Sequence, residues 1–279
     1  MIFLFGANSL LGWSIFRAGP QAIAFCNGFT RSPPPGIERS IHLDDELAVS
    51  QLFAREQPEL IVHCAGVCDV ATCEEAPDFA YSVNVDGTRI LLDYAPAAAR
   101  IVYCSSDHVF GGDAGPYAED TAPSPISVYG ETRAAAEQLV LARANTLVVR
   151  GGLWIGPSSN GRMGHLDWLR QRHRRGLPMT IVADEHRSAV WAEDAARRVW
   201  DLAHSSITGI RHLTTTHPVS RPELAHYLST HFEIGAQFEV VPRVDQRSRG
   251  TPHLGHVELA TIHTDALAAP LAPVVPRPG

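Results

Sequence analysis

Short apolar runs of four or five residues recur along the first half of the chain and alternate with amphipathic stretches of helical length. Residues 2–5, 22–25, 60–64, 101–104 and 146–150 read as strands, and 46–55 and about 77–95 read as helices between them. Runs this short with little polar alternation suit strands covered on both faces, and strand–helix alternation at this interval builds a parallel sheet. The expected fold is α/β: a doubly wound parallel sheet. Beyond residue 155 the alternation loosens, with a helix expected over 166–175, strands at 179–182 and 238–241, and helices at 193–204 and 221–231. We therefore divide the chain into a regular part, 1–155 with 187–214 returning to it, and a small interleaved lobe, 156–186 and 215–279. The proline-rich end is expected to fray.

The first strand runs straight into Gly6-Ala7-Asn8-Ser9-Leu10-Leu11-Gly12 and a helix. Such a turn places helix N–H groups where a pyrophosphate binds, although two glycines six apart also occur in ordinary turns. The second strand ends in Cys26-Asn27-Gly28-Phe29-Thr30-Arg31, with no carboxylate to accept from a ribose 2′-hydroxyl. Arg31 and the Thr30 hydroxyl there favour NADP(H) over NAD(H), while Arg31 also reads as an exposed loop residue. The strand at 60–64 ends in Ala65-Gly66, small enough for a cofactor to lie against the backbone.

Residues 101–137 concentrate the chemistry. A buried strand ends in Ser105 and Ser106, a Gly/Pro-rich loop follows, and Tyr129 opens a helix that carries Arg133 one turn later. Residues i and i+4 share a helix face, so a strand-end hydroxyl, a phenol and a cation can meet at one carbonyl or alcohol. Asp107 and His108 after Ser106 do not make a hydrolase triad, because neighbours on an extended strand point apart and no G-x-S-x-G elbow is present. Trp154, just past the sixth strand, is placed to touch a substrate at the strands' carboxyl ends.

Net charge is −7, and the one dense basic run, at 170–175, suits a solvated helix face, so nucleic acid is not expected as a partner. Five cysteines, an odd number, and no leader-like start imply reduced thiols and a cytoplasmic setting. No apolar span approaches about 18 residues, so no membrane helix is expected. Cys64, Cys68 and Cys73 beside His63 fit no zinc spacing, and the histidines at 253, 256 and 263 read as polar lining, so no metal is expected. All 23 basic residues are arginine, which excludes lysine Schiff-base chemistry.

Taken jointly, GANSLLG (6–12), LIVHCAG (60–66), NVDGT (84–88), CSSDHVFGG (104–112), GPYAEDTAPSPISVYGETR (115–133) and RSAVWAEDAAR (187–197) resemble the extended short-chain dehydrogenase/reductase superfamily. Within it the chain is similar to the dTDP-4-dehydrorhamnose reductase group, which includes the regulatory subunit of methionine adenosyltransferase. The resemblance implies a Rossmann-type doubly wound parallel sheet whose part at 1–155 binds NAD(P)H, a small interleaved C-terminal lobe for the substrate, and a nucleotide-sugar carbonyl, with Tyr129 as proton donor and Ser106 bonding the carbonyl oxygen. It places Gly6, Asn8, Ser9, Leu10, Leu11 and Gly12 at the pyrophosphate, and Asn27, Arg31, Leu43 and Asp44 toward the adenosine. Cys64, Ala65 and Gly66 would meet the cofactor's middle, Tyr129 and Arg133 its nicotinamide end. Ser106, Asp107, His108, Trp154 and Arg187 would line the substrate. Arg133 stands where the group has lysine, giving YxxxR for YxxxK, and His108 where an aromatic hydroxyl is usual. Arginine supplies charge and donors but cannot release a proton. A reductase is the first expectation; a non-catalytic cofactor-binding subunit and a nucleotide-sugar epimerase or dehydratase are the alternatives. Self-association as a homodimer is left open.

Overall fold

A computed structural model describes residues 1–277 apart from 20, 29, 31, 114 and 244–249. The first half contains β1 (Ile2–Phe5), α1 (Leu10–Ala18), β2 (Ile23–Asn27), β3 (Arg39–Ile41), α2 (Glu46–Arg55) and β4 (Leu60–His63). It continues through α3 (Val70–Glu75), α4 (Pro77–Tyr81), α5 (Gly87–Tyr94), β5 (Arg100–Cys104), α6 (Val128–Leu141) and β6 (Thr146–Gly151). The second half adds β7 (Leu153–Ile155), α7 (Gly164–Arg174), β8 (Thr180–Val182), β9 (His186–Arg187), β10 (Ala189–Trp191) and α8 (Ala192–Ala203). Then come β11 (Gly209–Leu213), β12 (Val219–Ser220), α9 (Arg221–His231), β13 (Glu239–Val241) and β14 (His256–Val257).

Seven strands form one sheet in the order β11-β6-β5-β4-β1-β2-β3, and every neighbouring pair is parallel. Strand order reverses between β1 and β4, and in such sheets the crevice at that switch point, beyond the carboxyl ends, receives ligands. β4, β5 and β6 are buried along their whole length because helices cover both faces. One face packs Leu4, Val62, Val102 and Val149 against Ile15 of α1 and Val199 of α8. On the other, Phe3, Phe5 and Phe25 meet Phe53 of α2 and Leu91 of α5, with Phe5 and Phe25 stacked at 4.9 Å. The alternation of Phe3, Leu4 and Phe5 between these clusters is the period-two signature of a strand.

Two expectations change. The helix at 77–95 is interrupted by a π-helical turn, Ser82–Asp86, that joins α4 to α5. This turn lets Asn84 accept from Val67 N (2.7 Å) and donate to Thr132 Oγ1 (2.9 Å), tying the loop after β4 to α6. Among its described residues the proline-rich end does not fray: Leu271 N donates to Thr214 O (2.9 Å), Val274 N donates to Ala189 O (3.2 Å), and Val274 is buried. Prolines forfeit their own donors there, but the residues between them bond back to the body. A further apolar cluster, including Leu153, Leu169, Val219, Leu224 and Leu228, holds α7 and α9 together beside the sheet's end. Among the described residues no helix is long and apolar enough to cross a membrane.

Candidate active site

The site is built where β1, β4 and β5 end. Gly6 leaves β1 at φ +81°, and a Cβ there would lie 2.4 Å from Ala65 N, so backbone packs directly on backbone at the switch point. α1 begins at once, with Ser9 as N-cap, φ −72°, its Oγ accepting from Gly12 N at 3.0 Å. That negative φ explains why serine is accepted where glycine is common. Leu11 is buried in the core, so it has only its backbone N–H to offer, as Leu10 does, and no carbonyl of the helix can accept from these first-turn groups. The Asn8 side chain ties the turn to the end of β2: its Nδ2 donates to Thr30 Oγ1 at 2.9 Å and its Oδ1 accepts from Asn27 N at 3.0 Å.

Beside this turn lies a cleft with about 300 Å³ of empty space, lined by Gly6, Asn27, His42, Leu43, Asp44 and Ala65. His42 fills the place over Gly28, where a Cβ would come within 2.0 Å of its ring. Arg31, at the tip that discriminates between the two nicotinamide cofactors, lies outside the described residues. The glycine cradle, the free first-turn N–H groups and the adjoining cleft fit a dinucleotide.

Ser127 caps α6 by accepting from Gly130 N, and the helix then presents Tyr129 and Arg133 one turn apart on the face toward β5. Tyr129, Arg133 and Ser106 are all buried. The Arg133 guanidinium carbon lies 5.2 Å from the Tyr129 ring centroid. Burial raises the Tyr129 pKa, and against this the Arg133 charge and hydrogen bonding to Ser106 and Arg133 pull it down, with the net shift upward. A hydroxyl and a cation thus act on the same phenol. Arg133 Nη1 also donates to Tyr103 Oη at 2.9 Å, and its Nε has no partner among the described residues. Burial works against the Arg133 charge, but the two tyrosines beside it outweigh this and raise its pKa. A protonated phenol next to a fixed cation can give a proton to a bound oxygen and leave a stabilised phenolate.

On the other side of Tyr129, the His108 ring lies edge-on at 5.2 Å. Burial and then the Arg187 charge push its pKa well below the usual histidine range, and its Nδ1 has no partner among the described residues. Asp107 and Arg187 are engaged with each other: Arg187 Nε donates to Asp107 Oδ2 at 2.5 Å, Nη2 donates to Oδ1, and Nη1 donates to Glu185 Oε1 at 2.9 Å. Ser105 is likewise taken, donating to Glu137 Oε1 at 2.5 Å. Trp154 is half-buried, with its ring over Gly151 and against the main core. Cys64 is buried, its thiol pushed well up by Cys104 and by burial.

Three residues at the site escaped the sequence reading. Gly66, φ +149°, is so close to Arg133 that a Cβ would meet its Nη2 at 2.6 Å and Asn84 Oδ1 at 2.7 Å, so Asn84 is part of the wall. Tyr103 and His63 pair in register across β5 and β4, with ring centroids 5.2 Å apart. His63 Nδ1 accepts from Ala65 N at 3.3 Å, which leaves Nε2–H to meet Thr88 Oγ1 at 3.1 Å. Asn84 sits in the NVDGT segment, a signal available in the sequence; Tyr103 and His63 read as ordinary strand interior.

Among known proteins, the chain is 32% identical over 184 residues to a probable dTDP-4,6-dihydroxy-2-methyloxan-3-one 4-ketoreductase of Streptomyces antibioticus, covering 64% of this chain and 61% of that protein. It is 36% identical over 143 residues to the methionine adenosyltransferase 2 subunit beta of Rattus norvegicus, covering 50% of this chain and 42% of that one. The matches thus span less than two thirds of either relative. The fold matches a hypothetical dTDP-4-dehydrorhamnose reductase from Sulfolobus tokodaii with TM-score 0.78 at 22% identity, over 92% of this chain and 91% of the other. It also matches a dTDP-4-dehydrorhamnose reductase from Bacillus anthracis, solved in complex with NADP, with TM-score 0.77 at 23% identity over 92% and 89%. Residues 1–253, which hold the glycine turn and the Tyr129–Arg133 helix, match the RmlD substrate binding domain family, and the chain belongs to it.

Proposed function

We propose that the protein is a nicotinamide-dependent reductase acting on a carbonyl of a nucleotide-activated sugar, with NADP(H) preferred to NAD(H). One observation carries this reading: the Tyr129 phenol shares its contacts with Ser106 and Arg133 at the sheet's carboxyl edge, beside the Gly6 turn. The Bacillus anthracis relative solved with NADP and the Streptomyces ketoreductase support it.

In this reading Gly6, Ser9, Leu10, Leu11 and Gly12 hold the pyrophosphate, with Asn8 bracing the turn. Asn27, Thr30, Leu43 and Asp44 surround the adenosine, and Cys64, Ala65 and Gly66 back the cofactor's middle. The bound dinucleotide supplies the hydride. Tyr129 gives its proton to the carbonyl oxygen, Ser106 orients that oxygen, and Arg133 stabilises the phenolate left behind. Reprotonation cannot run through residue 133, because a guanidinium does not release its proton. His108, with its free ring nitrogen, faces a substrate hydroxyl, while Asp107, Arg187 and Trp154 shape the wall. NADPH consumption is measured with dTDP-4-keto-6-deoxy sugars. Tyr129→Phe is expected to lower kcat by about 10²–10⁴-fold at unchanged NADPH affinity. NADPH binding without reduction of any such sugar rejects the reading.

A second reading, a cofactor-binding subunit that modulates a partner, draws on the likeness to methionine adenosyltransferase 2 subunit beta and on an arginine that cannot relay protons. Loss of turnover in Tyr129→Phe excludes it.

A further inference from the structure

Arg133 is held as a guanidinium in particular. Its Nη1 donates to Tyr103 Oη at 2.9 Å, and its guanidinium carbon lies between two aromatic rings, 5.8 Å from that of Tyr103 and 5.2 Å from that of Tyr129. Its Nη2 occupies space that only a glycine at position 66 leaves open, since a Cβ there would come within 2.6 Å. The Gly66 loop is itself fastened, because Asn84 accepts from Val67 N, donates to Val67 O at 3.0 Å and donates to Thr132 on α6. Tyr103 is fully buried, and the neighbouring His63 has both ring nitrogens engaged elsewhere. The Tyr103 hydroxyl therefore serves Arg133. With one arm on Tyr103 and the other over Gly66, the buried Nε–H is left without a partner among the described residues.

We infer that Tyr103 is a positioning residue for Arg133, and that the pocket at residue 133 is shaped for a guanidinium, leaving Nε–H for the dinucleotide's ribose. This rests on the dinucleotide-binding reading above. A lysine at 133 would place its ammonium near the present guanidinium carbon, about one C–N bond of 1.3 Å short of Nη1. It would then stand roughly 4 Å from the Tyr103 oxygen, beyond hydrogen-bond reach, and lose the contact that fixes it. Restoring the residue usual in the family would weaken the site.

The test is a double-mutant cycle on the full chain with Arg133→Lys, Tyr103→Phe and the pair, read by NADPH affinity from fluorescence titration and by kcat. Arg133→Lys is expected to weaken both by on the order of ten- to a hundredfold. Tyr103→Phe is expected to weaken both about tenfold in the arginine background and by less than about twofold in the lysine background. Tyr103→Phe also moves the alkaline limb of kcat to higher pH, because a drifting guanidinium no longer holds down the Tyr129 pKa. Arg133→Lys binding NADPH as well as the native chain overturns the inference. So does an equal effect of Tyr103→Phe in both backgrounds, the mark of a merely structural hydroxyl. If Arg133→Lys does not fold, Tyr103→Phe alone decides, and an unchanged affinity overturns it. Native protein that binds NADPH but reduces nothing rejects the reductase reading only, since the affinity arm still tests the clamp.

Discussion

At Tyr129 burial and charge oppose one another. The phenol keeps its proton near neutral pH as any phenol does, burial favours the protonated form further, and Arg133 and Ser106 lower the cost of losing it. In the proposed reaction Ser106 donates to an oxygen that gains charge, so Ser106→Ala is expected to lower kcat by on the order of a hundredfold with NADPH affinity unchanged; equal losses in both would assign Ser106 to cofactor binding. Gly66→Ala acts differently. Its backbone, at φ +149°, lies where side chains are strained, and the new methyl would strike Arg133 Nη2 and Asn84 Oδ1. A stability loss of about 1–3 kcal/mol and weaker NADPH binding are expected, read by urea denaturation and fluorescence. Ser106, Tyr129 and Arg133 were legible in the sequence because a strand end and a helix repeat bring them together. Tyr103 and His63 were not, since they meet through the register of two parallel strands. Asp107 and Arg187 were legible as polar residues near the cleft, but their mutual pairing is set by contacts 80 residues apart.

α6 has to stand at one height against the sheet for Tyr129 and Arg133 to reach β5. Glu137, one turn beyond Arg133, fixes that height: its carboxylate accepts from Arg150 Nε at 2.9 Å, from Arg150 Nη2 at 2.6 Å and from Ser105 at 2.5 Å. Both charged side chains are 2% exposed. Removing one partner strands the other as a buried charge, so Glu137→Ala is expected to cost about 3–5 kcal/mol. A Glu137→Leu/Arg150→Met pair of similar volume is expected to lose much less. Urea midpoints of the three proteins check this, and an equal loss in the pair would show that packing, not the stranded charge, sets the cost. At this scale the long elements were readable: β1 and α9 occupy the residues expected, and α6 carries the motif. The two- and three-residue strands β9, β10, β12 and β14 were not, because so few residues cannot show a period and exist only through partners brought by the fold. The π-turn was hidden for a related reason, since an extra residue in a helix leaves no mark in composition.

Across the whole molecule, stability depends on histidines kept neutral. His63 in the sheet is lowered to about 3 by burial and by Arg133; His212, on the strand that closes the sheet, is lowered to about 4 by burial, with Arg150 adding to it and Glu119 opposing. His108 beside Tyr129 and His165 on α7 are pushed well below the ordinary range, mainly by burial. A depressed histidine pKa means that the unfolded chain binds protons the native chain refuses once pH falls below about 6.5. Stability is therefore fully present above that pH and declines on acidification until the native pKa values are reached. Each such group adds a slope of up to about 1.4 kcal/mol per pH unit. Most carboxylates remain ionised in both states above pH 5, so between pH 7.5 and 5 the histidines govern the change. Denaturation free energies over that interval are expected to fall with increasing steepness. His212→Gln should flatten the profile, because an amide N–H can replace the imidazole Nδ1–H that now donates to Ala260 O at 2.9 Å, and no proton is taken up on unfolding. A stability unchanged from pH 7.5 to 5 would mean that these rings charge within the folded protein, and that water reaches the side chains around His108.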